Sequence, residues 1–255
     1  MLSAANDAPD CRSPALEFWF KTPLGRLLLE REQAILGERL ERLYGYYLLQ
    51  LSAASDCDLA GRSAIRHRFR LSSNPGSPGL CGGVSRFEAL PLEDNTIDVV
   101  LLHHVLEFSQ QPHQVLREAY RVLMPRGQLL VLCINPWSLF GLRTRLMGSF
   151  RGSPWRGHLI GPRRMADWMS LLDLRVCGVH KVFHHLPVQA PGLLGRFGRL
   201  WRYAERYSLP GGGVYLIEAR KEIVGLTPLR PRWRVWRPEI APLGAANSSC
   251  YSQDK

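Results

Sequence analysis

Two strand patterns separated by one helix pattern lie in the middle of the chain, and this unit constrains the fold most strongly. Residues 97–102 (IDVVLL) and 128–134 (QLLVLCI) are short runs of β-branched residues and leucine, bounded by turn formers. Runs of this length are typical of strands buried on both faces in a parallel sheet. Between them, residues 111–123 place apolar side chains on one helix face. This strand–helix–strand order predicts an α/β fold.

Further patterns extend the alternation along the chain. We predict strands at residues 46–51, 65–71, 174–183 and 214–221, and helices at 22–47, 137–147, 165–172 and 192–207. The last two strands lack a simple helical crossover, which favours antiparallel pairing. The predicted fold is a Rossmann-like three-layer sandwich around a mostly parallel, seven-stranded sheet with a C-terminal antiparallel strand. We expect a single domain over residues 14–240, with disordered tails at 1–13 and 241–255.

The positive charge of the chain is concentrated in its second half. The 255 residues include 33 Lys and Arg against 22 Asp and Glu, a net charge of +11. Residues 135–237 hold 18 of the cations and only 5 of the acids. Such asymmetry indicates an anionic substrate or partner. A solvated, arginine-rich surface explains it equally well, and a nucleic-acid site is the less favoured interpretation.

Cysteine spacing and hydropathy indicate the class of environment. None of the six cysteines forms a CxxC pair, so zinc-ribbon and thioredoxin patterns are absent and we expect no metal site. Cys133 lies in a predicted buried strand, where a reduced thiol is expected. No run reaches the ~18 apolar residues of a membrane-spanning helix, and residues 1–13 lack the apolar core of a signal peptide. We therefore expect a cytoplasmic protein.

Residues 87–127 carry a family pattern: FEALPLEDNTIDVVLLHHVLEFSQQPHQVLREAYRVLMPRG. An acidic residue and Leu-Pro turn, a D-x-V strand, a histidine-bearing strand end and a helix ending in R-V-L-x-P-x-G occur in register. The pattern resembles the core of class I S-adenosylmethionine (SAM) dependent methyltransferases of the type 11 group. Weaker likeness extends over residues 48–221, and residues 135–139 and the LTPLRPRW segment resemble a bacterial subgroup. The resemblance implies SAM as cofactor and a methyl acceptor that the sequence does not identify.

The resemblance also implies a set of cofactor-binding positions at strand ends and on one turn. They are Leu51, Ser52, Ala54 and Asp56 after the first strand, Ser72 after the second, Arg86, Phe87 and Glu88 on the turn beside the adenine, and His103 and His104 at the end of the next strand. We expect the two histidines to line the pocket rather than to act as bases. Methyl transfer depends mostly on positioning, so no catalytic residue is nominated.

The sequence departs from the family pattern in three ways. The glycines of the family's G-x-G-x-G motif are replaced by Ser52, Ala54 and Asp56, although glycine lets the backbone approach the SAM tail closely. The carboxylate of Asp56 could bind the SAM ammonium or repel its carboxylate. The acidic residue that holds the ribose is missing near Ser72, and Arg86 stands where an aspartate commonly faces adenine.

Two functions follow from this mixture of matches and departures. The first is a SAM-dependent methyltransferase acting on an unidentified, anionic acceptor. The alternative is a catalytically impaired protein of methyltransferase fold that serves as a binding or interaction module for RNA or another anion. Under either function, arginine forks beside indole rings suit an anionic ligand. The candidate positions are Arg143, Arg145, Arg151, Arg156, Arg163 and Arg164, with Trp137 and Trp155.

Overall fold

Seven strands form one sheet in the order β3-β2-β1-β4-β5-β7-β6. The computed structural model describes residues 14–54, 57–73, 82–148, 157–183 and 212–222. The strands are β1 (Tyr47–Ser52), β2 (His67–Ser72), β3 (Gly83–Val84), β4 (Ile97–His103), β5 (Leu123–Ile134), β6 (Leu174–Val182) and β7 (Val214–Lys221). Neighbouring strands from β3 to β5 are parallel, whereas β7 is antiparallel to both β5 and β6. The predicted Rossmann-like sheet is confirmed.

Helices cover both faces of this sheet. They are α1 (Pro14–Phe20), α2 (Pro23–Leu40), α3 (Val105–Phe108), α4 (Pro112–Val122), α5 (Leu139–Gly148) and α6 (Pro162–Ser170). One apolar layer joins α1 and α2 to strand residues such as Leu48, Leu101 and Leu130. The opposite layer joins α4 and α6 to Leu49, Val100 and Leu129. Alternate residues of each strand face opposite layers, which explains why the central strands are apolar throughout.

The connection between β1 and β2 is unusual for parallel strands. Parallel neighbours are usually joined by a helical crossover. The described residues of this connection, 53–54 and 57–66, contain no helix. Helix α2, which precedes β1 in the chain, instead supplies Leu28, Leu36 and Leu40 to the apolar layer on that face. Within the described residues, no helix N-terminus therefore follows the carboxyl end of β1.

Helix α2 ends earlier than its apolar spacing predicts. The prediction of a helix over residues 22–47 is wrong at its C-terminal end, because α2 stops at Leu40. Asp98 accepts hydrogen bonds from the backbone N–H groups of Tyr46 and Tyr47, each at 2.9 Å. These bonds hold the chain in an extended path into β1, so Leu43 cannot continue the helix. A contact between residues 51 and 52 positions apart determines this boundary.

Strand β5 begins at Leu123, five residues before the predicted start. Pro125 and Gly127, the turn formers that bound the predicted strand, belong to this strand. The strand is irregular at these residues: its pairing with β4 shifts register, and Arg126 has a positive φ of 67°. Gly127 is required here, because a Cβ would lie 2.8 Å from the Met124 carbonyl oxygen and 2.9 Å from that of Asp98.

The remaining predicted elements that fall on described residues occur within about three residues of their predicted bounds. Cys133 is a buried free thiol, as predicted. The described residues fall in one compact unit, and no described helix is long and apolar enough to cross a membrane. The predicted helix at 192–207, both predicted tails and the predicted domain boundary at residue 240 lie outside the described residues.

Candidate functional site

The carboxyl ends of β1, β2, β4 and β5 meet at one edge of the sheet. The chain passes from β1 outward to β2 and β3 and then returns to β4 on the other side of β1. Such a reversal leaves a crevice between the two strand ends, which is where open α/β sheets bind ligands. Ser52 ends β1 and pairs in register with His103, which ends β4. The predicted positions Ser52, His103 and His104 are thus brought together.

The two histidines converge on one carboxylate from the N-terminal helix α2. His103 Nε2 lies 3.1 Å from Glu32 Oε2, and His104 Nε2 lies 2.9 Å from Glu32 Oε1. Successive strand residues normally point to opposite faces. His104 adopts a left-handed conformation (φ 53°, ψ 20°), which turns its ring to the same side as that of His103. All three side chains are buried.

The other ring nitrogens of the histidines also have protein partners. His103 Nδ1 lies 2.7 Å from the Ser52 hydroxyl, and His104 Nδ1 lies 2.7 Å from Glu107 Oε2. The second oxygen of Glu107 accepts a hydrogen bond from the backbone N–H of Ile134. The histidines therefore line a closed polar network between β1, β4, β5 and α2. Their four ring nitrogens are engaged within the protein.

Burial and charge act in opposite directions within this network. Burial alone would raise the pKa of Glu32, but the facing histidines lower it to about 2. Burial would lower the pKa of His104, yet Glu32 and Glu107 raise it to about 10. For His103 burial dominates, and its pKa falls below the usual value. At neutral pH the network holds an ionised Glu32 against a charged His104 and a neutral His103.

Glu88 lies in a different environment from the histidines. Its side chain is 9% exposed, and Oε1 accepts a hydrogen bond from the Ser109 hydroxyl at 2.8 Å. Oε2 is buried and has no hydrogen-bond partner among the described residues. A buried carboxylate oxygen without a donor is costly, so its presence indicates a ligand or water that supplies one. Phe87 is buried beside it in the sequence and belongs to the apolar core.

An ion-pair network holds the turn that carries Glu88. Glu118 Oε2 accepts a hydrogen bond from the Leu90 N–H at 2.9 Å. Arg121 donates to the carbonyl oxygens of Leu90 and Leu92, at 3.0 and 2.8 Å. Glu118 and Arg121 also bond to each other. The helix motif of the family pattern thus fixes the Leu-Pro turn to α4.

The other predicted cofactor positions differ in their burial. Leu51 is fully buried core, and Ala54 is buried with its N–H bonded to the Ser52 hydroxyl at 3.2 Å. Ser72 is buried at the end of β2, whereas Arg86 is exposed. Asp56 lies outside the described residues.

Two adjoining cavities open beyond the end of β5, with volumes of about 760 and 830 Å³. Both are lined by Pro136, Arg145 and Arg164, and no Asp or Glu is among their described lining residues. Cationic and aromatic side chains contribute to both linings: Arg163 and Lys181 line one cavity, and His113 and Trp168 line the other. The His113 and Trp168 rings lie 3.7 Å apart between centroids with an interplanar angle of 44°, and the Arg164 guanidinium lies 5.4 Å from the same indole.

The predicted arginine and tryptophan positions are only partly represented in these cavities. Arg145, Arg163 and Arg164 line them, and Trp137 is 87% exposed at the rim. Arg151, Arg156 and Trp155 lie outside the described residues. Gly157 lines one of the cavities and lies directly against the backbone of Glu107. Only glycine fits there, because a Cβ at this position would collide with the Glu107 carbonyl. The adjacent His158 N–H bonds to that carbonyl at 2.6 Å.

Sequence reasoning missed Glu32 and Glu107 as members of the site. A signal for Glu32 existed in the helix pattern. Leu24, Leu28, Leu36 and Leu40 are buried at four-residue spacing along α2, and Glu32 occupies the central position of that stripe. A charged residue in an apolar stripe is buried only when it is paired.

Comparisons with known proteins agree with the fold. The family model described as "Methyltransferase domain" matches residues 64–131. The Escherichia coli protein YafS is 31% identical over 247 residues, covering 95% of this chain and 93% of its own.

Two solved structures share the fold at low sequence identity. A SAM-dependent methyltransferase of Thermotoga maritima, a possible histamine N-methyltransferase, superposes with a TM-score of 0.56 at 17% identity, covering 81% of this chain and 94% of its own. A chain from the complex of the Haloferax volcanii Trm112 methyltransferase activator with a candidate methyltransferase superposes with a TM-score of 0.60 at 16% identity, covering 83% of this chain and 99% of its own. The chain therefore belongs to the family of E. coli YafS, and it is a class I SAM-dependent methyltransferase-like protein.

Proposed function

We propose that the chain transfers a methyl group from SAM to a small anionic acceptor, with Glu88 as the adenine-binding carboxylate. The observation that carries this proposal is the buried Oε2 of Glu88, which has no hydrogen-bond partner among the described residues. The exocyclic amine of adenine is a donor that would satisfy it. SAM supplies an electrophilic methyl group on a sulfonium. The protein's task is to hold the acceptor close to that methyl group and exclude water.

The predicted cofactor residues are not equally available to SAM. Glu88 stands on a turn fixed by Glu118 and Arg121, so its carboxylate is pre-oriented. Ser52 and the two histidines have their polar atoms engaged with one another and with Glu32 and Glu107. We therefore assign cofactor recognition to the Glu88 turn and give His103 and His104 a supporting role at the strand end.

The cavities beyond β5 are the proposed acceptor site. Their described lining holds three arginines and a lysine without a carboxylate. Arginine forks bind carboxylate and phosphate groups through paired hydrogen bonds, and they stack on aromatic rings. The tilted His113 and Trp168 rings beside Arg164 add an aromatic contact surface. An acceptor with a carboxylate or phosphate attached to an unsaturated group suits this lining.

Calorimetric titration with SAM and S-adenosylhomocysteine tests the cofactor assignment. We expect binding by the wild type and weaker binding by Glu88→Gln, which keeps the size of the side chain but loses its charge. Charge-assisted hydrogen bonds contribute about 1.5–3 kcal/mol, so affinity should fall roughly 10- to 150-fold. Glu93→Gln is the matched control, because Glu93 is an exposed carboxylate near the same turn. Absence of binding at millimolar SAM in folded wild-type protein would refute the enzyme assignment.

Titration with pyrophosphate tests the acceptor site. The double variant Arg145→Gln/Arg164→Gln should bind this probe at least tenfold more weakly than the wild type. Arg117→Gln, which alters an exposed arginine on α4 outside both cavity linings, should bind it normally. Equal binding by all three proteins would place the anion elsewhere.

The second candidate function is an anion-binding module of methyltransferase fold without methyl transfer. It is favoured by the closed network at the ends of β1 and β4 and by the lack of a helix in the described β1–β2 connection. This function predicts pyrophosphate binding that depends on Arg145 and Arg164, with no binding of SAM. If the anion is RNA, affinity must fall steeply between about 50 and 200 mM salt.

A further inference from the structure

Glu32, His103 and His104 form a cluster for which methyl transfer has no evident need. Each histidine Nε2 faces a different oxygen of the same carboxylate. The three candidate ligand atoms lie within 4.8 Å of one another, and all three residues are buried. We propose that these residues hold a divalent first-row transition metal, with Zn²⁺ as the expected ion. This inference replaces the expectation from cysteine spacing, which considered only thiolate sites.

The donor set matches the preferences of such an ion. Two imidazole nitrogens and a carboxylate are typical ligands of zinc, whereas magnesium and calcium prefer oxygen ligands alone. Because both oxygens of Glu32 face the histidines, a bidentate carboxylate and two Nε2 atoms provide four donors. Four is the coordination number that zinc adopts in closed structural sites.

The backbone at His104 brings the ligands together. Consecutive residues that continued a strand would direct their side chains to opposite faces. The left-handed conformation of His104 prevents that divergence. This conformation is uncommon for residues other than glycine and clusters at functional sites. The strand end is therefore shaped so that both imidazoles reach the same carboxylate.

The second nitrogen of each ring has the partner that a metal ligand requires. A metal-bound histidine usually donates its other N–H to a carboxylate or another oxygen, which fixes its tautomer. Glu107 occupies this position for His104, and the Ser52 hydroxyl occupies it for His103. Glu107 is itself fixed by the backbone N–H of Ile134. The two proposed histidine ligands are thus themselves held in place by hydrogen bonds to Glu107 and Ser52.

The hydrogen bonds of Ser52 allow the tautomer of His103 that a metal ligand needs. The Ser52 oxygen lies 2.7 Å from both the Ala54 carbonyl oxygen and His103 Nδ1, but the hydroxyl has one proton to donate. If that proton goes to Ala54, His103 Nδ1 carries its own proton and donates it to Ser52. The lone pair of Nε2 in the neutral ring is then available to an ion on the Glu32 side. In the metal-free protein, the other tautomer lets Nε2 donate a hydrogen bond to Glu32.

Metal content of the full-length protein is the first test. The chain is unfolded in urea with EDTA and refolded with Zn²⁺ or Co²⁺, because ligands this deeply buried are loaded as the protein folds. We expect about one tightly held ion per chain, and visible absorption of four-coordinate Co²⁺ without a thiolate charge-transfer band. Less than about a tenth of an ion per folded chain would overturn the proposal. A thiolate band would also overturn it, because the ion would then be bound by cysteine.

Substitutions then locate the site. Glu32→Gln and His104→Gln should lose the stoichiometric ion, whereas Glu30→Gln on the same helix and the exposed His67→Gln should retain it. Glu107→Gln leaves the ligands intact and should lower Zn²⁺ affinity roughly 10- to 100-fold. Wild-type stoichiometry and affinity in all three cluster variants would refute the assignment. If the ligand variants fail to fold, the wild-type metal content and the Glu107→Gln affinity decide the question.

Discussion

Replacement of Glu32 by glutamine should destabilise the protein far more than replacement of any exposed acid on the same helix. Glu32 is fully buried and bonds to His103 and His104 at 3.1 and 2.9 Å. The pKa of His104 is raised to about 10, so its imidazole is charged at pH 7. Glutamine removes one of the two carboxylates that compensate this buried charge.

Two independent considerations give the size of the effect. Removing one partner of a buried ion pair costs about 3–5 kcal/mol, mostly because the remaining charge is left uncompensated. Two hydrogen bonds to charged groups, at about 1.5–3 kcal/mol each, give roughly the same total. For a chain of this size, 1 kcal/mol corresponds to about 2–4 °C in Tm. We therefore expect Tm to fall by roughly 6–20 °C.

Urea unfolding at pH 7, followed by tryptophan fluorescence and circular dichroism, measures the loss. EDTA is present throughout so that metal binding does not contribute. Glu30→Gln is the matched control: it makes the same change on the same helix at an exposed position, where about 0.5 kcal/mol or less is expected. A loss for Glu32→Gln within about 1 kcal/mol of the control would refute the paired, charged network.

Three further substitutions test contacts that hold the sheet together. Asp98→Asn should cost about 1–3 kcal/mol in urea unfolding, because the charged acceptor of the Tyr46 and Tyr47 N–H groups is lost. Lys221→Met should cost about 2–3 kcal/mol and lower the Tm, since the ammonium donates to Asn95 Oδ1 and to the Tyr120 and Leu123 carbonyls. Glu118→Gln should cost about 2 kcal/mol at pH 7. Because Arg121 lowers the pKa of Glu118, that difference should shrink as pH falls below the unfolded value near 4.3.

The sequence predicted the elements whose determinants are local. The apolar runs that became β4 and β5 and the amphipathic α4 follow directly from their side chains. The end of α2 depends instead on Asp98, more than 50 residues beyond Tyr46 and Tyr47. The start of β5 depends on an irregular pairing with β4. Neither long-range contact has a local pattern, so the predicted boundaries failed there.

The site was predictable to a similar extent. The resemblance to SAM-dependent methyltransferases placed Ser52, His103 and His104 at the sheet edge, and the register of β1 and β4 brings them together. The resemblance could not reveal that α2 supplies a carboxylate to both rings. That contact spans 71 and 72 residues and uses a helix outside the matched segment. The position of Glu32 within a leucine stripe was the one local indication of it.

The sheet edge therefore has two regions with separate chemistry, and their independence can be measured. Glu32 bonds to His103 and His104, whereas Glu88 bonds to Ser109 and Gln114, so they share no hydrogen-bond partner in the described structure. Effects of residues without shared partners add to within about 0.5 kcal/mol. In the double variant Glu32→Gln/Glu88→Gln, the loss of stability should equal the sum of the losses in the two single variants. Its SAM affinity should fall by the same factor as in Glu88→Gln alone. A larger coupling would mean that the histidine network also shapes the proposed adenine pocket. Helix α2 would then be part of cofactor recognition rather than only a clamp on the strand ends.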